Sequence, residues 1–541
     1  MFAPAPSYQT DVIIIGGGIA GLVTALKLLD SGLSLLILDR DREEKMGGLA
    51  KESFGGICAV DTPLQKRMGI PDTPEIAWED WKRVARFRRE EKWSRAWAKR
   101  YVEHSERDIY SFLTELGIRF LPVVNWPERG MLHTANSLPR WHIAWGTGYR
   151  IIECLIKALD THPHRRNLRF RFGHRVENLL MHDGQIAGCT GHMETTSRPF
   201  EAHADRIVLA AGGLCGGNLS RVRQHWPSHL HTIPSRLLNG SHRFADGRIH
   251  DAATAVGARL DHPDRQWHYA AGIPYPKSLV ENQGLSLVPP RSALWLNAKG
   301  ERIGPLPLMG YTDTAYLVER LCREEEPFSW LLLNRKIALR ELAVSGCDYM
   351  TAFRYRKFFR MIRELLFGNR ELTDRLIRES DEIITAPTLT ELGRKMQQKV
   401  PEVPIHMKAM ENSVRAYDRQ IEWGPSFFTD DQLRRIAITR KYRGDRMRTC
   451  RFQQILDPAA GPLMAIRTFI LTRKSLGGIR TDLNSRVLDM HDKPIPGLFA
   501  AGETAGFGGG NMHGRGALEG TFLGGAILTA HHAAQSIAKG E

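Results

Sequence analysis

From Val12 to Ile15 every residue is apolar and β-branched. Gly16–Gly18 interrupts the run, and apolar residues resume at helical spacing over Leu22–Leu29. A second apolar run, Leu35–Leu38, ends in Asp39. Strand, glycine turn, helix and strand in this order predict a βαβ unit. Gly16, Gly18 and Gly21 hold the positions that a tight turn, a close backbone approach to a pyrophosphate and helix-on-strand packing require. The acid comes 18 residues after Gly21, where its carboxylate can accept hydrogen bonds from ribose hydroxyls. The start of the helix offers free N–H groups and a positive dipole end to the phosphates.

Three further stretches bear on the ligand. After Asp39 and Arg40 comes a second glycine-rich loop, Gly47-Gly48-Leu-Ala50-Lys-Glu-Ser53-Phe-Gly55-Gly56, which suits a long dinucleotide such as FAD lying extended. The run from Arg206 reads as a buried strand ending in the small residues Ala211 and Gly212, against which a ligand can pack. Ile495–Ala500 reads as another strand, followed by Gly502-Glu503, a glycine-rich stretch from Gly506 to Gly516, and a helix opening near Ala517 and Leu518. Nucleotide-binding elements at both ends imply one domain closed by distant segments around an insert. The expected architecture is α/β: a Rossmann-like FAD-binding domain built from 1–245 and 451–541, with an α+β cap (substrate) domain at 246–450. Composition is richer in arginine and aromatic residues there, with helical periodicity over Ala352–Leu376. No second strand–GxGxxG–helix–acid unit argues for a separate nicotinamide domain.

Composition narrows the class. The chain has 541 residues, 42% hydrophobic and 25% charged, which excludes disordered and collagen-like proteins. No apolar run approaches the ~20 residues of a membrane-spanning helix. Met1–Thr10 has neither a basic nor an apolar signal region, so no signal peptide is expected. The seven cysteines are scattered and form no CxxC. They point to a reducing, cytoplasmic setting without structural zinc, iron–sulfur or haem sites, and no metal site is expected. The net charge is +15. A basic-rich stretch lies between Glu79 and Arg107, where Arg and Lys alternate with Glu and with Trp81, Trp93 and Trp97. This segment reads as the solvated face of amphipathic helices rather than a nucleic-acid patch, and it is a candidate for docking a carrier or touching an anionic membrane.

The four elements, together with Trp145-Gly-Thr-Gly148, Leu471-Thr-Arg-Lys474-Ser-Leu-Gly477-Gly478, Gly506-Phe-Gly-Gly-Gly510 and Ala517-Leu-Glu-Gly-Thr-Phe-Leu-Gly-Gly525, resemble the flavoproteins of the fumarate reductase/succinate dehydrogenase class. The similarity is to their FAD-binding dehydrogenase subgroup, related to ketosteroid Δ1-dehydrogenases, and it spans nearly the whole chain. It implies non-covalent FAD, since no histidine lies between Gly47 and Gly56, and a cap that closes over the flavin. It also implies hydride exchange between flavin N5 and a C–C bond next to a carbonyl or carboxylate of a small-molecule substrate. Electrons would pass to a separate carrier or quinone.

By the same resemblance, Lys474, His513, Arg515 and His268 are the catalytic candidates. The glycine-rich loop passes the flavin, and Gly516, Ala517 and Leu518 join the cofactor site. Each catalytic candidate has a plain alternative: a surface lysine, a loop-satisfying or packed histidine, a solvated arginine. The sequence also departs from fumarate reductases. Gly300–Gly310 lacks their acid–arginine arrangement, Asn511–Gly516 displaces their substrate-clamping arginine, and Arg335 and Arg340 do not map cleanly onto their acid. Ketosteroid dehydrogenases use tyrosines. Tyr269, Tyr275, Tyr311 and Tyr316 are the cap-side candidates, and the sequence does not select among them. A flavoenzyme oxidising C–O or C–N bonds with His513 as base, and a catalytically idle flavin scaffold or sensor, are the other readings.

Overall fold

The computed structural model describes residues 5–278, 280–345 and 348–540; Cys347 lies outside them. The expected βαβ unit forms from β1 (Val12–Ile15), α1 (Ile19–Leu28) and β2 (Leu35–Leu38). Both strands are buried along their whole length, as parallel strands covered on two faces must be. With β3 (Leu168–Arg171) and β4 (Arg206–Leu209) they build a six-stranded sheet. Its order is Arg486–Leu488, Pro494–Ala500, β4, β1, β2, β3, and only the first strand is antiparallel. Pro494–Ala500 thus lies beside β4, and the C-terminal helix Thr521–Ala538 packs on α1. Both ends of the chain therefore close one domain. A four-stranded sheet of Ser7–Gln9, Pro199–His203, Gln185–Met193 and His174–His182 completes it.

The second body is built on an eight-stranded sheet whose centre is the 13-residue strand Leu463–Ser475. Gln266–Pro274 and Phe328–Asn334 flank that strand antiparallel. The sheet runs on to residue 475, past the boundary at 450 that composition suggests. The long strand ends where the two bodies meet, so it carries its last side chains into the gap between them. The periodic stretch Ala352–Leu376 is not one helix: Thr351–Arg354, Phe358–Phe367 and Arg370–Glu379 are separate, and Gly368 at φ +86° ends the second.

The tryptophan-rich basic segment forms helices Pro74–Ala85 and Lys92–His104. Their charged residues face solvent, except Asp80, which is buried. Trp81 and Trp97 are buried, donating from their indole nitrogens to the carbonyls of Met512 and Asp482 at 3.2 and 3.0 Å. The indole of Trp97 fills the space that a side chain on Gly508 would need, and the backbone at Trp93–Ser94 does the same at Gly509. Gly508, Gly509, Gly514 and Gly516 therefore lack side chains where these helices and their ends approach. Buried Arg140 ties the region together, bonding Asp72 at 2.8 Å and Asp80 at 2.5 Å. The described cysteines are all buried and unbonded.

Candidate active site

The glycines predicted to cradle a dinucleotide have separate jobs. Gly16 turns at φ +112°, and a side chain there would strike the carbonyl oxygen of Ala210 at the end of β4. A side chain on Gly21 would strike the carbonyl of Gly16, so Gly21 packs α1 onto the turn and does not face the ligand. Gly18 has open space beside its Cα. It bridges to Gly47, whose N–H donates to the Gly17 carbonyl at 2.9 Å, so the two glycine loops are one unit. Asp39 accepts from the N–H groups of Gly17 at 2.5 Å and Asp41 at 2.6 Å. Arg40 is held by Glu194 and Asp246 and lies 4.2 Å over the Phe244 ring.

A cavity of about 300 Å³ runs from this cradle into the gap between the two bodies. Gly16, Gly18, Asp39, Arg40, Gly47, Gly48, Ala50, Ser53 and Gly56 line it, as do Ala211, Gly212, Gly502 and Glu503. Glu503 accepts from the Ser475 N–H at 2.8 Å, and burial raises its carboxyl pKa. Gly55 lies behind, tight against the Thr147–Gly148 backbone. Gly516, Ala517 and Leu518 do not reach the cavity: Gly516 sits on Val84, and the other two are buried in the core of the first domain. The C-terminal helix begins only at Thr521, so Glu519, Gly520 and the first-turn residues Phe522 and Leu523 meet the cavity instead.

Of the four predicted catalytic residues, only Lys474 lines the cavity. It lies near the end of the long cap strand, 3.2 Å from the Tyr269 hydroxyl and 3.7 Å from the centre of the Phe522 ring. The Tyr269 hydroxyl donates to Glu519 at 2.7 Å. Burial pulls the Lys474 pKa down to about 8, with nearby Glu519 opposing. Burial, reinforced by Glu519, pushes the Tyr269 phenol well above its ordinary value. His513 lies behind the cavity wall. It is stacked on Trp81, edge-on to Phe507 and bonded to the Thr521 hydroxyl at 2.9 Å, and burial pushes its pKa to about 3. His268 occupies the face of its strand opposite to Tyr269 and stacks on Trp226, 4.9 Å between ring centres, where burial again pushes the pKa to about 3. Arg515 is exposed, and its backbone N–H donates to the Ala85 carbonyl at 2.8 Å. The glycine-rich stretch thus serves packing, and the functional expectation for these three residues gives way to the plain alternative.

Of the four candidate tyrosines, Tyr269 and Tyr311 line the cavity. Glu519 went unselected by sequence reasoning, although a lone acid at the head of an apolar helical run was visible. Arg473 also borders the cavity, its guanidinium committed to the backbone carbonyls of Gly240 and Glu52. Away from the cavity, ligand-type atoms of His104, Asp108 and His532 lie within 4.8 Å of one another. There the Arg107 guanidinium bonds both His104, at 2.9 Å, and Asp108, and so already supplies the positive charge.

A family model described as an FAD binding domain matches residues 11–523. The chain belongs to that family. The flavoprotein is 37% identical to a KsdD-like steroid dehydrogenase of Mycolicibacterium smegmatis, over 95% of this chain and 96% of that protein. It is equally identical to one of Mycobacterium tuberculosis (strain CDC 1551 / Oshkosh), over 99% and 97%. Among solved structures it is similar to the open conformation of a flavocytochrome c3 fumarate reductase, with a TM-score of 0.69, 20% identity, and 99% and 79% coverage of the two chains. The 3-ketosteroid delta1-dehydrogenase from Sterolibacterium denitrificans also scores 0.69, at 16% identity with 98% and 100% coverage.

The residues present fit FAD. The open backbone at Gly18, beside the α1 N-terminus, suits a pyrophosphate. Asp39 keeps carboxylate lone pairs for ribose hydroxyls, and the cavity extends from there past both glycine loops. The flavoprotein is an FAD-dependent oxidoreductase.

Proposed function

We propose that this flavoprotein dehydrogenates a C–C bond next to a ketone in an apolar, steroid-sized molecule. The observation that carries the reading is the Tyr269 phenol, held between Lys474 and Glu519 in a cavity that Trp141, Ala271, Leu287, Val288, Pro289 and Leu317 also line, with Ser286 and Thr314 as hydroxyls among them. Bound FAD supplies the hydride acceptor. Tyr269 takes the proton from the neighbouring carbon while its own proton moves along the 2.7 Å hydrogen bond to Glu519. The Lys474 ammonium opposes negative charge that grows on the phenol oxygen. The apolar walls orient a rigid hydrocarbon. Electrons then leave to a separate carrier or quinone.

The kinship to KsdD-like steroid dehydrogenases supports a ketosteroid as substrate. Fumarate fits less well: a dicarboxylate calls for cations aimed at it, whereas Arg473 is oriented by two backbone carbonyls and Lys474 by the Tyr269 phenol. Oxidation of a C–O or C–N bond by a His513 base loses its base, because that imidazole lies behind Phe507 and Phe522. An idle scaffold would have no use for a lysine and a carboxylate on one phenol. The test is turnover of the holoenzyme with 3-ketosteroids and a dye acceptor, set against fumarate with a reduced dye. The expected result is a steroid product lighter by two hydrogens. Fumarate reduction faster than turnover of every ketosteroid would overturn the reading.

A further inference from the structure

The helix Phe358–Phe367 carries its apolar residues on a stripe, with Phe358, Phe359, Ile362 and Leu366 spaced as a core-facing helix would space them. None of its residues is buried. Phe359 is 86% exposed, Phe367 71% and Leu366 59%. A single exposed phenylalanine is ordinary, but a contiguous exposed stripe marks a contact surface. The exposed Arg356, Lys357, Arg363 and Arg370 accompany it, while Arg354 is buried against Glu52 and Arg360 is paired with Glu364 and Glu371.

Beside the start of this helix is a cleft lined by Gly117, Arg119, Trp145, Arg150, Tyr355 and Arg356. Arg150 reaches Glu153 at 3.5 Å. Among the described residues no carboxylate is within ion-pair distance of Arg119 or Arg356. Three guanidinium groups around one cleft suit a phosphate. The preceding turn of helix packs Phe353 on Phe54, 6.4 Å between ring centres, and Phe54 is part of the cavity wall.

Two partners would each satisfy half of this surface. An acidic protein would answer the arginines and leave the phenylalanines wet. A second copy across a two-fold axis would cover the phenylalanines and set one cationic segment against another. An anionic bilayer answers both, since a helix with an apolar stripe and basic flanks lies at the level of the headgroups. We propose that the Phe358–Phe367 helix lies in the headgroup layer of an anionic phospholipid membrane, with a lipid phosphate in the Arg119–Arg150–Arg356 cleft. The membrane surface is therefore this helix, not the tryptophan-rich segment, whose indoles are turned inward. The binding does not depend on what the cavity takes.

The test is co-sedimentation of the holoprotein with phosphatidylcholine vesicles, with and without ~30% phosphatidylglycerol, at about 0.1 M and about 0.5 M salt. Binding is expected to the anionic vesicles alone and to fall at the higher salt. Phe359→Ser with Leu366→Ser should weaken it by ~10-fold or more. Arg119→Ala and Arg356→Ala should each cost ~5-fold. These side chains are at the surface, so the flavin spectrum should be retained and report that the fold is intact. No binding, or equal binding to neutral vesicles, would overturn the proposal. It would also fall if the double serine variant dissolved a dimer while leaving vesicle binding unchanged, which would make the helix a self-association face.

Discussion

Replacing Tyr269 by phenylalanine removes one oxygen and little else. That oxygen accepts from Lys474 at 3.2 Å and donates to Glu519 at 2.7 Å, so the variant cuts the proposed proton path at its first atom. Positioned acid–base groups contribute ~10²- to 10⁴-fold, or about 3–5 kcal/mol of barrier. The cost to stability should be smaller, about 1 kcal/mol, because Glu519 opens to the cavity and water can replace the lost donor. The ring remains, so substrate affinity should hardly change. The assay is anaerobic stopped-flow reduction of the bound flavin by a 3-ketosteroid, with dithionite reduction as the control. The expected outcome is a reduction rate at least ~100-fold lower at unchanged dithionite reactivity. A rate within about threefold of the parent would refute the assignment of the proton to Tyr269.

Lys474→Met should abolish most activity yet stabilise the apoprotein. The drop in the lysine pKa from 10.5 to about 8 means that its charge costs the folded state about 3 kcal/mol. That cost is present in full below pH 8 and fades as the pH rises from 8 toward 10.5, so denaturant midpoints of the two apoproteins should converge over that range. Gly16→Ala should yield a colourless protein on gel filtration, since the positive φ and the Ala210 carbonyl both exclude a side chain. Trp97→Ala should cost about 3–5 kcal/mol in urea unfolding, because a fully buried indole and its bond to Asp482 are lost together.

The dinucleotide cradle was readable in the sequence because its signals are local: turn, helix start and acid lie within one βαβ unit. The proposed reactive corner was not, because it joins Tyr269 and Lys474 of the cap sheet to Glu519 at the head of a terminal helix. His268 and Tyr269 show the difficulty well. They are adjacent in one strand and therefore point to opposite faces, and only the pairing of that strand with Leu463–Ser475 says which face meets the flavin domain. The glycines from 506 to 516 carry the same lesson. Close approach to a ligand and close approach of a tryptophan helix demand the same missing side chain, and at Gly508 and Gly509 the helix is what approaches. The helical periodicity over 352–376 reports an apolar face and not what covers it, so the exposure of the stripe at 358–367 was not legible.

The most direct test of the central claim is an anaerobic spectral titration of the purified protein with a 3-ketosteroid that is saturated at the bond to be oxidised. The account predicts that the oxidised flavin band bleaches stoichiometrically and that Tyr269→Phe slows the bleaching. A flavin that dithionite reduces but that no ketosteroid bleaches would contradict it.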